Sequence, residues 1–190
     1  GMKKIISSLL ALAALAVLTV PAGAESLAVE AGACLLMEKT TGQVLYAVNE
    51  HQALEPASVT KIMTVLLVME AIDAGTLRYD DMVTASACAC SMGGSQIWLK
   101  ENERMSVEDM LKAVCVASAN DCSVALAEHM AGSAEAFVER MNQRAGELGM
   151  NDTNFLNPTG LPAQGHVTSA YDIALMSREL ILNHPDIRRF

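Results

Sequence analysis

Aromatic residues are scarce in this chain: one Trp, three Tyr and three Phe among 190 residues. Single-stranded nucleic acid is gripped by stacking bases on a series of aromatic faces, and so few cannot build one. Positive charge is scarce as well. Thirteen Lys and Arg stand against 22 Asp and Glu, a net charge of −9. Phosphate backbones are held by clustered basic side chains, so nucleic acid is excluded as a partner on both counts. Zinc-type ligand spacing is missing too. Cys88-Ala89-Cys90 is too tight for it, and no histidine pair accompanies it. Neither a metal nor another cofactor is expected. The cysteines, Cys34, Cys88, Cys90, Cys115 and Cys122, are odd in number, which leaves at least one unpaired. Cys88 and Cys90 read as small buried apolar residues, on one side of an extended segment. The sequence contains no internal repeat and no low-complexity tract.

Apolar residues are abundant, at 52%, with a mean hydropathy of +0.28. Part of this lies at the N-terminus. Lys3 and Lys4 precede an apolar run from Ile5 to Val20, and Pro21-Ala22-Gly23-Ala24 follows with small residues before Glu25. That order reads as a secretory signal peptide over residues 1–24, with Gly1 an expression remnant. The run is short for a membrane span of about 20 residues. Export to the extracytoplasmic face of a cell envelope is expected. Loss of Lys3 and Lys4 with the leader takes the net charge from −9 to −11. Residues 25–190 are of single-domain length.

The remaining chain divides at its turn residues. Ala33–Glu38 predicts a buried strand, and Gln43–Val48 its partner across a turn at Gly42. Ile62–Ile72 is apolar on nearly every side, the pattern of a helix inside a domain, closed by Gly75. Met82–Cys90 alternates loosely and predicts an extended segment. Ser106-Val107-Glu108-Asp109 is a helix-starting box. Helices are expected from there to Ser118, from Asp121 to Met130, from Ser133 to Gly146 or Gly149, and from Thr168 to about Leu182. A polar loop, Asn151–Val167, precedes the last. The fold class is α/β (α+β), an antiparallel sheet beside a helical cluster. Two strands make a marginal sheet, so further strands are expected beyond this sequence.

Chemistry enters at Pro56-Ala57-Ser58-Val59-Thr60-Lys61. Ser58 and Lys61 are three apart, which puts them on one helix face. A serine hydroxyl needs a neighbouring base to become a nucleophile. A lysine becomes that base when burial lowers its pKa. A capping serine followed by a surface lysine is the structural alternative. Ser118-Ala119-Asn120 lies 60 residues further on, between two helices. It too has a structural reading, with Ser118 ending one helix and Asn120 capping the next.

The two motifs together resemble those of the penicillin-recognising serine enzymes. The likeness extends to Thr41–Tyr46, Pro56–Thr64, Gly93–Ile97, Ser118–Asp121, Phe155–Leu161 and Thr168–Asp172. These segments resemble the serine-type D-alanyl-D-alanine carboxypeptidases, the low-molecular-mass penicillin-binding proteins, from about Ala33 to Pro185. The resemblance implies a β-lactamase/transpeptidase-like fold. It implies that Ser58 is acylated, that Lys61 takes its proton, that Ser118 relays protons to the leaving amine, and that Asn120 bonds the substrate's peptide amide. It implies removal of the terminal D-alanine from peptidoglycan stem peptides, in cell-wall synthesis and cell shape, and acylation by β-lactam antibiotics. The family's third motif, Lys-Thr-Gly, is not in this sequence. The resemblance places it roughly a hundred residues after Ser118, beyond Phe190, so the C-terminal part of the domain is expected to be missing. A class A β-lactamase would carry glutamate where Thr153 stands, before Leu156-Asn157. That enzyme and a truncated non-catalytic relative remain the alternatives, and membrane anchoring stays open.

Overall fold

Glu38 closes the first turn, and that turn makes the hairpin. In the computed structural model, which describes residues 29–190, β1 (Cys34–Met37) pairs antiparallel with β2 (Val44–Val48), Leu36 opposite Tyr46. The Glu38 carboxylate accepts the backbone N–H groups of Thr40 and Thr41 at 2.9 and 2.6 Å, and the Thr41 hydroxyl at 2.7 Å. These bonds, led by the one from Thr40, bring its pKa down to about 2. The expected leader, residues 1–24, lies outside the described residues. The expectation of a buried strand is corrected: Leu36, Val44 and Leu45 are 51%, 40% and 56% exposed. A sheet this small offers two faces, and the helix Ala170–Asn183 packs against β1.

A short 3-10 turn, Ala57–Thr60, leads into α1 (Lys61–Asp73), which holds the whole apolar run Ile62–Ile72. Its apolarity runs round the helix, so it is packed from several sides, by the four long helices that follow it in the chain. Gly75, at φ +73, donates its N–H to Ile72 O and turns the chain away, a conformation that costs glycine nothing.

The region read as extended is β3 (Met82–Thr84) followed by a helical turn, α2 (Ala87–Cys90). Ser86 accepts the Ala89 N–H at 3.0 Å and so starts a turn where a strand was expected. Cys88 is exposed and Cys90 half-buried, which corrects the reading of both as buried. β4 (Arg104–Ser106), not anticipated, pairs antiparallel with β3.

Three helices follow: α3 (Val107–Ala117), α4 (Asn120–Ala131) and α5 (Ala134–Glu147). Ser106 caps α3 by accepting from Asp109 N–H, and Ser133 caps α5 through Ala136 N–H. α4 is central, packing on α1, α2, α3, α5 and β3. The core is rich in methionine: Met63, Met69, Met110, Met141 and Met176 have no exposed surface. Residues 151–169 form an irregular segment fastened by bridges Leu54–Thr168 and Asn154–Val167. α6 (Ala170–Asn183), capped by Ser169, closes against α1 and the hairpin. No helix among the described residues is long and apolar enough to cross a membrane.

Candidate active site

The 3-10 turn makes its residues unequal. Ser58 is exposed at the tip, whereas Thr60 is fully buried and Lys61 only 5% exposed. The chain reaches this arrangement through Ala57, whose φ is +47. Non-glycine residues enter that region at a cost of order 1–3 kcal/mol, and such strain gathers at functional sites. Ser118, at φ +54, is a second case.

Lys61 Nζ lies 3.3 Å from Ser58 Oγ and donates to Thr159 O at 2.6 Å. Burial lowers the lysine pKa from 10.5 to about 8. About one lysine in ten is then neutral at pH 7. A neutral amine has two N–H donors and one lone pair. With one N–H given to Thr159 O, the lone pair can accept the proton of Ser58 Oγ. That is the geometry of a nucleophile beside its base.

Ser118 ends α3 and shares a cleft of about 290 Å³ with Ser58 and Lys61. Ile62, Val65 and Leu180 supply apolar walls, and Cys115 also lines the cleft. Ser118 Oγ is the one buried side-chain oxygen or nitrogen among the described residues without a hydrogen-bond partner. An orphan hydroxyl in a cleft is a group awaiting a partner. Asn120 is placed differently. It is 4% exposed, donates its side-chain amide to Gly93 O at 2.7 Å, and gives its backbone N–H to Ser95 O. It thereby joins the 93–95 loop to the start of α4.

Several contributors to the site escaped the sequence reading. The Thr159 carbonyl is one, because a backbone oxygen leaves no residue-type signal. The loop that carries it is wound around Asn157, whose Oδ1 accepts Thr159 N–H, Thr159 Oγ1 and Gly160 N–H at 3.1, 2.9 and 2.7 Å. Thr64 Oγ1 also donates to Pro158 O. Gly160, at φ +84, passes so near the 3-10 turn that an added Cβ would lie 1.7 Å from Ala57 O. His166 was missed as well; its only signal was a lone histidine in a Gly- and Pro-containing loop.

No metal is needed to explain the one candidate ligand cluster among the described residues. Glu70, Glu179 and His184 converge, but Arg144 Nη2 already lies 2.7 Å from Glu70 and 2.9 Å from Glu179. The guanidinium is the cation of that cluster.

Comparison with known proteins identifies the family. The family model for D-alanyl-D-alanine carboxypeptidase, peptidase S11, matches residues 20–188. The D-alanyl-D-alanine carboxypeptidase DacF of Bacillus subtilis (strain 168) is 52% identical over 164 residues, which cover 86% of this chain and 42% of the relative. Among solved structures, the D-alanyl-D-alanine carboxypeptidase DacD from Francisella tularensis superposes with a TM-score of 0.82 at 40% identity, covering 84% of this chain and 39% of that one. Penicillin-Binding Protein D2 from Listeria monocytogenes, in its ampicillin-bound form, superposes at 0.74 with 30% identity over 84% of this chain and 65% of that one. The chain thus spans about two-fifths of the length of the curated relatives it matches. By sequence and by fold it belongs to the peptidase S11 family of D-alanyl-D-alanine carboxypeptidases.

Proposed function

We propose that residues 25–190 carry the acylating machinery of a serine D-alanyl-D-alanine carboxypeptidase. The observation that carries this reading is a buried lysine with its pKa lowered to about 8, 3.3 Å from an exposed serine in a shared cleft. Ser58 Oγ attacks the carbonyl of the penultimate D-alanine while Lys61 Nζ takes its proton. The tetrahedral intermediate collapses, and the C–N bond to the terminal D-alanine breaks. Lys61 returns the proton through Ser118 Oγ to the departing amine. Water then repeats the sequence on the acyl-enzyme and frees Ser58. General-base assistance of this kind is worth about 10²–10⁴-fold. Asn120 acts at the substrate's peptide amide, from its place beside the 93–95 loop.

A β-lactam presents the same kind of carbonyl, and an ampicillin-bound relative shares this fold. Acylation of Ser58 by penicillins is part of the proposal. Thr153, where a class A β-lactamase would carry its glutamate, spends its hydroxyl on Asp172 Oδ2 at 2.6 Å. Without that carboxylate the acyl-enzyme should persist, in keeping with a penicillin-binding protein. The substrate places the protein on the extracytoplasmic side of a bacterial envelope, with residues 1–24 as its export signal.

The test is to label the protein with a fluorescent penicillin and map the adduct by peptide mass spectrometry. The expected adduct is on Ser58, absent in Ser58→Ala. An adduct on Ser118, or undiminished labelling of Ser58→Ala, would overturn the reading.

A further inference from the structure

His166 is 2% exposed and bonded through both ring nitrogens. Nδ1 is 2.9 Å from the backbone N of Leu156, and Nε2 is 2.8 Å from Thr60 Oγ1. The backbone N–H can only donate, so Nδ1 is the acceptor. The ring proton therefore sits on Nε2 and is donated to Thr60. Each bond reaches a different part of the site. Leu156 opens the loop that delivers the Thr159 carbonyl to Lys61, and Thr60 is the residue between nucleophile and base.

From this bridging geometry we propose that His166 is a positioning residue: as a neutral imidazole it ties the 156–161 loop to the 3-10 turn and so keeps Thr159 O against Lys61 Nζ. The proposal rests on the reading of Lys61 as the base. That carbonyl occupies one N–H of the amine and leaves the lone pair for Ser58. If the loop lifts, the amine is free to rotate and its lone pair is no longer aimed.

The clamp works in one protonation state only. A second proton on the imidazole would set an N–H against the Leu156 N–H and break that bond. The surroundings guard against this. Phe155 packs its ring at 5.9 Å, and burial lowers the histidine pKa below its usual 6.5. Glu55, on the loop before the 3-10 turn, is the charged group that faces His166, and it pulls the other way. It shares with His166 a cavity of about 160 Å³, otherwise lined by Ala57, Gly160, Pro162 and Ala163. The other partners, Thr60, Phe155 and Leu156, carry no charge. Acidification should therefore act on the site twice: Lys61 is protonated first, and at lower pH the clamp on its aiming carbonyl opens.

The experiment compares the full chain with His166→Gln, which keeps an amide donor and acceptor but cannot titrate, and with His166→Ala. Ser58 acylation by a fluorescent penicillin is followed from about pH 5 to 9. In the wild type the logarithm of the rate should fall with slope one below the Lys61 pKa. It should steepen to slope two below the His166 pKa. In His166→Gln the slope should stay at one throughout. His166→Ala should acylate more slowly by up to about 10²-fold, the effect of a small misplacement of reacting groups. In parallel, the Lys61 Cε resonance of ¹³C-lysine-labelled protein, assigned with Lys61→Arg, should show a second inflection at acid pH that His166→Gln lacks. A wild-type slope that never exceeds one, or a second inflection that survives in His166→Gln, would overturn the proposal. If Ser58 is not acylated at all, the functional reading falls, while the lysine resonance still decides whether His166 positions Lys61.

Discussion

Two regions meet at Lys61, and they hold their shape by different means. On one side is α1, whose Met63, Leu66, Val68 and Met69 are wholly enclosed by other apolar side chains. Burying side chains of this size is worth about 1.5–3 kcal/mol each. On the other side is the segment from Asn151 to Ser169. Phe155 is enclosed there too, but most of the segment's buried side chains are polar: Thr159, His166, Thr168 and Ser169 are each at most 2% exposed. It is held by specific bonds, such as the three that Asn157 accepts and that of Thr153 to Asp172. Hydrophobic packing is tolerant of direction, whereas a hydrogen bond fixes it. The difference suits the chemistry. The apolar side desolvates Lys61 and makes it a base; the polar side supplies the carbonyl that aims it.

That division can be broken from either side. The largest effect is expected at the junction. Lys61→Ala should slow Ser58 acylation by about 10²–10⁴-fold, read by penicillin labelling. Above the range in which His166 titrates, the rate of the intact protein should rise about tenfold per pH unit until it levels near pH 8, where the buried lysine loses its proton. A flat profile from pH 6 to 9 would remove Lys61 as the base.

Leu66→Ala attacks the apolar side alone. A cavity in a closed core costs about 2–5 kcal/mol, so the melting temperature should fall steeply. The acylation rate per folded molecule should stay within a few-fold of wild type. Asn157→Ala attacks the polar side. Three donors lose their acceptor, and leaving buried donors unpaired costs about 1–3 kcal/mol. Here acylation should drop by more than stability does. Equal losses of rate and stability in both variants would erase the distinction between the regions.

The smallest effect is expected at the rim of the polar segment. His51 Nδ1 lies 2.8 Å from Asp152 Oδ2. Its pKa is raised, chiefly by that bond, and that of Asp152 is lowered, chiefly by the same bond. A raised histidine pKa stabilises the fold below the unfolded value of about 6.5. That contribution is lost as pH climbs through the folded value. His51→Asn should therefore melt slightly below wild type at about pH 5.5, and the gap should close by about pH 9. Added salt should shrink it, because His51 is largely exposed. A gap that widens with rising pH would show the pair to be misassigned.

The sequence was most readable where pattern and chemistry coincide. The caps at Ser106 and Ser133 each lie where a serine precedes an apolar period, and each accepts the expected N–H. Ser58, Lys61 and Ser118 were legible as residue types at a spacing, and the fold brings the three to one cleft. Asn120 was legible as a motif member, though not its bond to Gly93. The short strands β3 and β4 were not, because three residues are too few to display a period. Cys88 and Cys90 were misread because one serine hydroxyl decides between a helical turn and a strand there. The Thr159 carbonyl and the two bonds of His166 were invisible. They depend on where a loop returns: the bonds to Lys61 and Thr60 span 98 and 106 residues of sequence, and that to Leu156 spans 10 across an irregular loop.

The methionine-rich core has a practical consequence. Met63, Met69, Met110, Met141 and Met176 sit with no exposed surface, so peroxide can reach their sulfur only when the surrounding structure opens. Each sulfoxide, once formed, puts a polar oxygen where the packing leaves no room for one and hinders reclosing. The five therefore serve as clocks distributed along α1, α3, α5 and α6. The rate at which each gains sixteen mass units in dilute peroxide, about the mass of one oxygen atom, reports how often its own stretch of the core breathes.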